Sequence, residues 1–568
     1  MNNKFKYSIF AAAVAVMGLS SCNDVLDINS TKTFSDQAVW SSPSTADLYV
    51  VASYNTLQDY LVVGGGLHDA YADLLKSTNW DARGSRINKV VLRRDGIQKG
   101  SVSHVGNWGI YGSRIRRANV CYLDIDRYGK KFGDEWCRIR QTEVRFCNAL
   151  NYFFLARVYG GVVLRTPWSG SHGMSDGMYE EDIHLKRSTE EETYDFILSE
   201  LQYAAENLPD EWETKWVGRG TKQMAYAFIS RIALYAHKWE LAAAAADSVK
   251  AMGGALVDNY ADLFTNGKLS ANRKEVICAV EFTEKDKTHG YDNLMRPAYD
   301  GHKTQSQMTA ECVPTAELAD AFDWKDGSEF SWDNWEKNHT DPYTDREPRF
   351  HATILYNGAK WEDRTIETFV GQGSVVPDGT DHFVEYHSTA CTYGYTCTGY
   401  YMRKYLDEGN ANYKADGSYM PELILRYAEV LLNKAEALAM INYSANAQKA
   451  LDALNEVRAR VNLPNRTLTD APDLESFMEL LRKERICELA GENFRYWDLR
   501  RWRLAEEVLN GKCMHGTLIT MKYDGTFEYE YVDVDDGEKR SFQKRDYYYS
   551  LPTDEITNNK LAYDNPDW

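Results

Sequence analysis

The sequence predicts a mostly α-helical protein in which four helix pairs form a scaffold and a long irregular, partly β region carries the working surface. Three observations lead there. Apolar residues recur at helical spacing in paired runs, Gly and Pro punctuate the ends of those runs, and two insertions are too long to be simple connections. The chain has 568 residues with 65 basic and 84 acidic side chains, a net charge of −19. That balance excludes a general nucleic-acid binder, which needs a basic face for phosphate contacts. The hydrophobic share of 43% and the charged share of 26% are those of a globular chain able to bury large cores.

The first twenty-one residues read as a signal peptide. Lys4 and Lys6 give a positive start, Ile9 to Leu19 is an apolar run, and Leu19-Ser20-Ser21-Cys22 follows with small residues at the cleavage position. Ending on cysteine resembles a bacterial lipobox, with Cys22 lipidated as the first mature residue. No other stretch approaches the roughly 18 apolar residues of a membrane span, so lipid is the expected anchor. Residues 22–42 then form a lipidated tether, and its acidic start, Asn23-Asp24-Val25-Leu26-Asp27, resembles a surface-export signal of some Gram-negative lineages.

The helix pairs follow. Ser42 is placed to cap a helix with Pro43 at its first position, and Ala46, Val50, Leu57 and Leu61 mark its buried face. Trp108, Tyr111, Ile115, Ala118 and Tyr122 mark its partner. A second pair spans Asp134 to Tyr159, ending at Gly160-Gly161, and Thr189 to Leu208. The third is Ala225, Ile229, Ile232 and Ala236 with the Ala-rich run Glu240 to Met252. The fourth is Ile424, Ala428, Leu431, Ala435 and Leu438 with Ala450, Leu454, Val457 and Val461. Small residues alternating with large ones, at about 40 residues per pair, resemble tetratricopeptide-type units that must stack to bury their faces.

Two insertions interrupt this order: Val63 to Gly106 splits the first pair, and Leu263 to Tyr419 separates the third from the fourth. Alternating runs at Val276 to Phe282 and His351 to Tyr356 predict strands in the second. The expected organisation is a helical scaffold over 43–262 with a loop insertion at 63–106, a variable ligand-binding region over 263–420, and a C-terminal helical region over 421–568.

Ten cysteines less the lipidated one leave an odd nine, which argues against a disulfide framework. Cys121, Cys147 and Cys487 read as core residues. Only Cys391 and Cys397, in a Tyr- and Thr-rich loop, are placed to bridge. There is no Cys-x-x-Cys or His-Glu-x-x-His, and His382 and His387 do not share a helix face, so neither a metal nor a cofactor is indicated. No Gly-x-Ser-x-Gly elbow appears, the Gly394 to Gly399 spacing is followed by Tyr400 where a phosphate loop needs Lys, and Asp533 to Gly537 places its glycine one position early for a calcium loop.

Several segments carry a family resemblance. RKERICELAGENFRYWDLRRW at Arg482 to Trp502 and ELILRYAEVLLNKAEA at Glu422 to Ala437 resemble the C-terminal half of the SusD/RagB family of outer-membrane nutrient-binding lipoproteins. Further matches are VRFCNALNYFFLARVYGGVVL at Val144 to Leu164, GRGTKQMAYAFISRIALYAHKW at Gly218 to Trp239, EPRFHATIL at Glu347 to Leu355, GYYMRKY at Gly399 to Tyr405 and YYYSLPTDEITNNKLAYDNPDW at the C-terminus. The lipobox at Cys22 fits the same pattern. The resemblance implies four tetratricopeptide-like units, a non-enzymatic role, and a SusC-like TonB-dependent outer-membrane transporter over which the lipoprotein closes. Its shared charges, Glu484, Arg485, Glu488, Arg495, Asp498 and Arg500, sit three and four apart on one helix and its exit, so salt-bridge and cap roles account for them. Trp497 and Trp502 are expected to pack.

Ligand choice should therefore lie in the insertions. A sugar presents C–H-rich faces and a rim of hydroxyls, so its recogniser needs flat aromatics beside Asn, Asp, Arg or His. The chain is rich in the first, with 38 Tyr, 20 Phe and 15 Trp making 13% of it. Asn79, Trp80 and Arg83 supply the mixture within Asn79 to Arg83. Tyr291, Asp292, Asn293, Arg296, Tyr299 and His302 supply it again between Gly290 and Gly301, and Trp332, Trp335 and Trp361 are further candidates. The expectation is a surface-exposed outer-membrane lipoprotein that captures oligosaccharides for its transporter. Competing readings are a peptide binder of the RagB branch and a lipid-anchored α-helical glycoside hydrolase.

Overall fold

The computed structural model describes residues 36–60, 67–78, 85–102, 104–168, 185–265, 274–301, 308–410 and 413–568. The expectations for the signal peptide, Cys22, Asn79, Trp80, Arg83 and His302 lie outside the described residues.

Helix α1, Pro43–Val51, starts where the sequence says it should: Thr45 N–H donates to Ser42 Oγ at 3.2 Å and Ser42 N–H donates back to Thr45 Oγ1 at 3.2 Å. It does not continue as an α-helix. Ala52–Tyr60 tightens into a 3₁₀ segment, and Leu61 lies outside the described residues. Its partner α2, Trp108–Tyr128, buries Tyr111, Ile115, Ala118, Cys121 and Ile125, one stripe at spacings of three and four. Helix α3, Asp134–Tyr159, is buried all round from Thr142 to Tyr159 except at Arg145, whose guanidinium pairs with Glu200 at 2.7 and 2.9 Å. It ends at Gly160, whose φ of 73° suits a residue without Cβ, and Gly161 lies so close to the Ser188 carbonyl that a Cβ would meet it at 2.0 Å. Helices α4 (Glu190–Asn207), α5 (Lys222–Tyr235) and α6 (Trp239–Ala251) follow, α4 opening with a Thr189/Glu192 capping box.

The fourth pair is one helical run, α7 (Tyr427–Arg460), broken at Asn442 by an extended φ/ψ of −169°/101°. Asn442 Oδ1 accepts the Ala445 N–H at 3.2 Å, so the residue that ends the first arm caps the second. Ile424 is not in this helix as expected; it lies in a strand, Glu422–Arg426. Helix α8, Leu474–Leu489, completes the series. From α2 to α8 each helix packs on the next, as stacked helix pairs must to cover their apolar faces.

The strands are short. β1 (Leu75–Ser77) pairs antiparallel with β3 (Cys312–Pro314), Leu75 opposite Pro314 and Ser77 opposite Cys312. β2 (Val276–Val280) pairs antiparallel with β4 (Glu422–Arg426), tying the insertion to the scaffold. β5 (His515–Met521) and β6 (Phe527–Asp533) form a hairpin. The strand expected over His351 to Tyr356 is corrected: Pro348–Thr353 is a short helix with Pro348 at its first turn, and only Ile354–Leu355 is extended. One apolar core lies among the helices and a second, centred on Phe322, Phe350, Trp361 and Tyr401, lies beneath the insertion.

The charges of the C-terminal signature hold the cores together, though seldom through neighbours on the same helix. Glu488, fully buried, accepts from Arg349 at 3.1 Å, from Arg426 at 2.5 Å and from Arg460. Burial alone would raise its carboxyl, yet the three guanidiniums hold it well below the usual range. Glu484 accepts from Arg349 at 2.5 Å and Arg458 at 3.0 Å, Arg485 binds Asp498 at 2.7 Å, and Arg495 binds Asp73 at 2.8 Å. A buried charge needs a full partner, and these partners lie from 13 residues away, for Arg485 and Asp498, to 422, for Arg495 and Asp73. Trp497 and Trp502 pack as expected, their indole N–H groups on His68 and Glu436. Cys121, Cys147 and Cys487 are buried. Among the described residues no helix is long and apolar enough to cross a membrane.

Candidate functional site

Pairing of β1 with β3 sets Thr78, the last described residue before Asn79, against the segment that follows the second candidate loop. Thr78 donates its N–H to the Glu311 carbonyl at 3.1 Å and its hydroxyl to the Ala310 carbonyl at 3.0 Å. Thr78 is thus held beside the segment at Ala310 and Glu311, although 232 residues separate Thr78 from Ala310 in sequence.

Beneath the second loop lies a buried polar platform. Gly290 precedes a short helix, Tyr291–Met295, and the chain turns at Pro297 to place Asp300 under the loop. Trp361 Nε1 donates to Asp300 Oδ2 at 2.9 Å, and Arg364 Nη2 donates to Asp300 Oδ1 at 2.8 Å. Arg364 also clamps Asp381 at 2.5 and 3.0 Å. Arg296 donates to Asp292 at 3.0 Å, to Glu362 at 2.7 Å and to the Asp407 carbonyl at 2.6 Å, and its guanidinium carbon lies 4.1 Å from the centroid of the Tyr413 ring. Burial would lower the Arg364 guanidinium, but Asp381 and Asp300 keep it above its ordinary value. Burial likewise pushes the carboxyls of Asp292 and Asp381 up, against the guanidinium beside each.

These contacts correct three of the sequence-based assignments. Tyr291 and Trp361 are 0% exposed and Arg296 is 1% exposed. Tyr291 gives its hydroxyl to the Lys404 carbonyl at 3.3 Å, Trp361 its indole N–H to Asp300, and Arg296 its guanidinium to the groups above. A side chain so enclosed supports the loop and is not part of the surface a ligand would meet. The physical reason is that Tyr, Trp and Arg suit a sugar site and a satisfied polar core equally well, and composition does not separate the two. Asn293 and Tyr299 are half-buried, and the Tyr299 ring centroid lies 5.1 Å from the Arg364 guanidinium carbon, so one ring is braced by the platform while retaining exposed surface.

Trp332 and Trp335 belong to a separate group. Trp332 donates its indole N–H to both Asp320 oxygens at 3.1 Å, and Trp335 meets the Tyr529 ring edge-on at 5.4 Å. Sequence reasoning missed Asp300, Arg364 and Asp381 as the platform, for which no local pattern gives a signal. It also missed Tyr393, 54% exposed on the turn Thr389–Tyr393, whose following Gly394 lies against the Met308 carbonyl. The signal there was the Tyr- and Thr-rich composition of that loop. Among the described residues no group of three or more His, Cys, Asp or Glu side chains is arranged to hold a metal ion, and the carboxylates of the platform are engaged by arginines or an indole.

Residues 274–568 match the model of the SusD family. The chain belongs to that family. Residues 67–234 also match a family described as starch-binding and associating with the outer membrane. A SusD-like protein, P38, from Formosa agariphila is 23% identical over 525 residues, covering 88% of this chain and 92% of the relative. A SusD-like protein of Bacteroides fragilis has the same fold at a TM-score of 0.75 and 27% identity, covering 94% of this chain and 99% of that one. A second protein of that organism, described as a SusD-like carbohydrate binding protein, superposes at a TM-score of 0.74 with 24% identity, covering 92% and 99%. The stacked-helix scaffold found here is the one shared with these SusD-like structures.

Proposed function

We propose that this protein is a surface-exposed lipoprotein, anchored to the outer membrane through Cys22, that captures oligosaccharides and delivers them to a SusC-like TonB-dependent transporter for import. The observation that carries the sugar reading is Tyr299, a half-buried ring that keeps some exposed surface, braced by Arg364 over a platform whose charges are already satisfied. Such a ring is held still before ligand arrives, so stacking on a sugar face costs little ordering. Asn293 nearby adds a side chain able to both donate and accept toward hydroxyls. Asn79, Trp80 and Arg83 supply the same chemistry in the sequence of the first insertion. Support also comes from the family's description as starch-binding and from the carbohydrate-binding relative of Bacteroides fragilis.

A glycan array run beside a peptide pool, with product analysis of each hit, tests this. The expected result is capture of oligosaccharides that are recovered intact. Capture of peptides alone would move the ligand to that class, and release of shorter sugars would make the protein a hydrolase. Co-purification of a TonB-dependent transporter from detergent extracts of the outer membrane checks the delivery step.

A further inference from the structure

We propose that the hairpin β5–β6 carries a second sugar-binding surface, built on Phe527 and Tyr531, and that it takes the far part of an uncharged glycan chain whose near part lies at the Tyr299 loop. The proposal rests on the sugar reading above and adds to it the length and charge of the ligand.

The strand sequence Phe527-Glu528-Tyr529-Glu530-Tyr531 alternates rings with carboxylates. A strand sends alternate side chains to opposite faces, so the three rings share one face and the two carboxylates the other. Strand β6 is an edge, with β5 lying between it and Val370–Gly371. The core takes the middle ring, Tyr529, which lies 5.4 Å from Trp335 and 6.0 Å from Tyr343. The outer two reach past it, Phe527 38% and Tyr531 44% exposed, and Tyr523 at the turn is 65% exposed. Among the described residues five Tyr, Phe and Trp side chains are exposed, so three of the five stand on this one hairpin. Exposed rings gathered in one place mark a surface that meets a partner.

The rings are held before any ligand arrives. Phe527 rests on Phe369, centroids 5.5 Å apart, and Tyr531 stacks on His515 at 4.6 Å with 24° between the ring planes. His515 is fixed in turn by Glu317, Nδ1 to Oε1 at 2.7 Å. At the turn the Lys522 N–H donates to the Thr526 carbonyl at 2.8 Å and the Thr526 N–H to Asp524 Oδ1 at 3.0 Å, which keeps the two strands in register. A flat ring already in place stacks on a C–H-rich sugar face at little ordering cost. Four strand residues set Phe527 and Tyr531 about 13 Å apart, farther than one sugar ring reaches, so only a chain engages both.

Two further observations define that chain. Phe369, which supports Phe527, and Arg364, which supports Tyr299, are five residues apart, so their Cα atoms lie within about 18 Å and one glycan can span loop and hairpin. Glu528, Glu530 and Asp533 are exposed along β6, on a protein of net charge −19. A polyanionic chain is repelled there, whereas an uncharged one finds acceptors for its hydroxyls.

Isothermal titration tests this with the uncharged glycan that the array ranks first, as a short member reaching one ring and a long member reaching all three, and with a polyuronate of the long length. Phe527→Ala/Tyr531→Ala should weaken binding of the long chain by about tenfold or more and leave the short one unchanged. Tyr299→Ala should weaken both, Tyr531→Phe, which keeps the ring, should bind as the wild type does, and the polyuronate should bind more weakly than the uncharged chain. Should the double variant lose its fold, amide hydrogen exchange of the wild type decides: the long chain, and not the short one, must slow exchange over 515–533. The proposal is overturned if the double variant binds the long chain like the wild type, if the polyuronate binds more tightly, or if the wild type binds no uncharged glycan. Long-chain binding lost in the double variant and intact in Tyr299→Ala keeps the hairpin and removes the loop site. The reverse pattern removes the hairpin and keeps the sugar reading.

Discussion

Trp361 and Asp300 meet at 2.9 Å, indole N–H to carboxylate, and the other oxygen of Asp300 takes Arg364 at 2.8 Å. One carboxylate thus ties the base of the 288–302 loop to the Lys360–Trp361 and Arg364–Thr365 strand pair. This junction separates the residues that hold the loop from those that face outward, and the two groups should respond differently to substitution.

Asp300→Ala should lower stability by about 3 to 5 kcal/mol, because it leaves the Trp361 indole buried without its acceptor and strips Arg364 of one of its two buried carboxylates, Asp381 being the other. Trp361→Ala should cost a similar amount, about 3 to 5 kcal/mol, by opening a cavity. Denaturant unfolding of each variant checks this, and a loss of less than about 1 kcal/mol in both would remove the platform's structural role.

Tyr299→Ala should leave the melting temperature nearly unchanged and weaken binding of the best array glycan by about tenfold or more, the loss of one stacking anchor. Trp80→Ala is expected to behave in the same way. Oligosaccharides should bind far better than monosaccharides, since each further ring engaged adds contact without a second association cost. Isothermal titration decides it; unchanged affinity in both variants would place the site elsewhere, with the Trp332 and Trp335 group next in line.

Leu431 and Leu454 are 3% and 1% exposed on the two arms of α7. Replacing either with Ala should cost about 2 to 5 kcal/mol while leaving sugar affinity intact in the folded fraction. Chemical denaturation measures the first, and a binding isotherm below the transition measures the second.

The Asp320 carboxyl, which accepts the Trp332 indole N–H, is pushed up to about 7 by burial against the pull of Arg346. Its folded value therefore lies above its unfolded one. Between the ordinary carboxylate range and about pH 7 the folded chain holds a proton that the unfolded chain has lost, so this group's contribution to stability is full in acid and disappears as pH rises through 7. Asp320→Asn keeps an acceptor for Trp332 and removes the titration. Its urea midpoint should fall less steeply than that of the wild type from about pH 5 to about pH 8; parallel curves would show that Asp320 does not titrate there.

Cys22→Ala should release the protein from the membrane fraction with its fold intact, since the substitution lies well ahead of Trp40, the first buried residue among those described. Fractionation followed by circular dichroism of the released protein reads both. Retention in the membrane would rule out Cys22 as the anchor.

The sequence by itself determined most of the scaffold helices, because periodicity, caps and glycine stops are local. Thr189 begins α4, Gly160 ends α3, and the apolar stripe of α2 is visible as spacing alone. It also determined that the signature charges are scaffold. What it could not determine was which aromatic and polar residues face outward. Tyr291 and Tyr299 lie eight positions apart in one glycine-flanked loop, yet Tyr291 is enclosed against Lys404 and Tyr405 while Tyr299, over Arg364, keeps some exposed surface. The partners of Glu488 were equally invisible, since Arg349, Arg426 and Arg460 reach it from three separate segments. Spacing records neighbours along a helix, whereas a charge or ring in a low-dielectric interior takes whatever partner the chain's path brings to it. Only the tertiary structure decides that path.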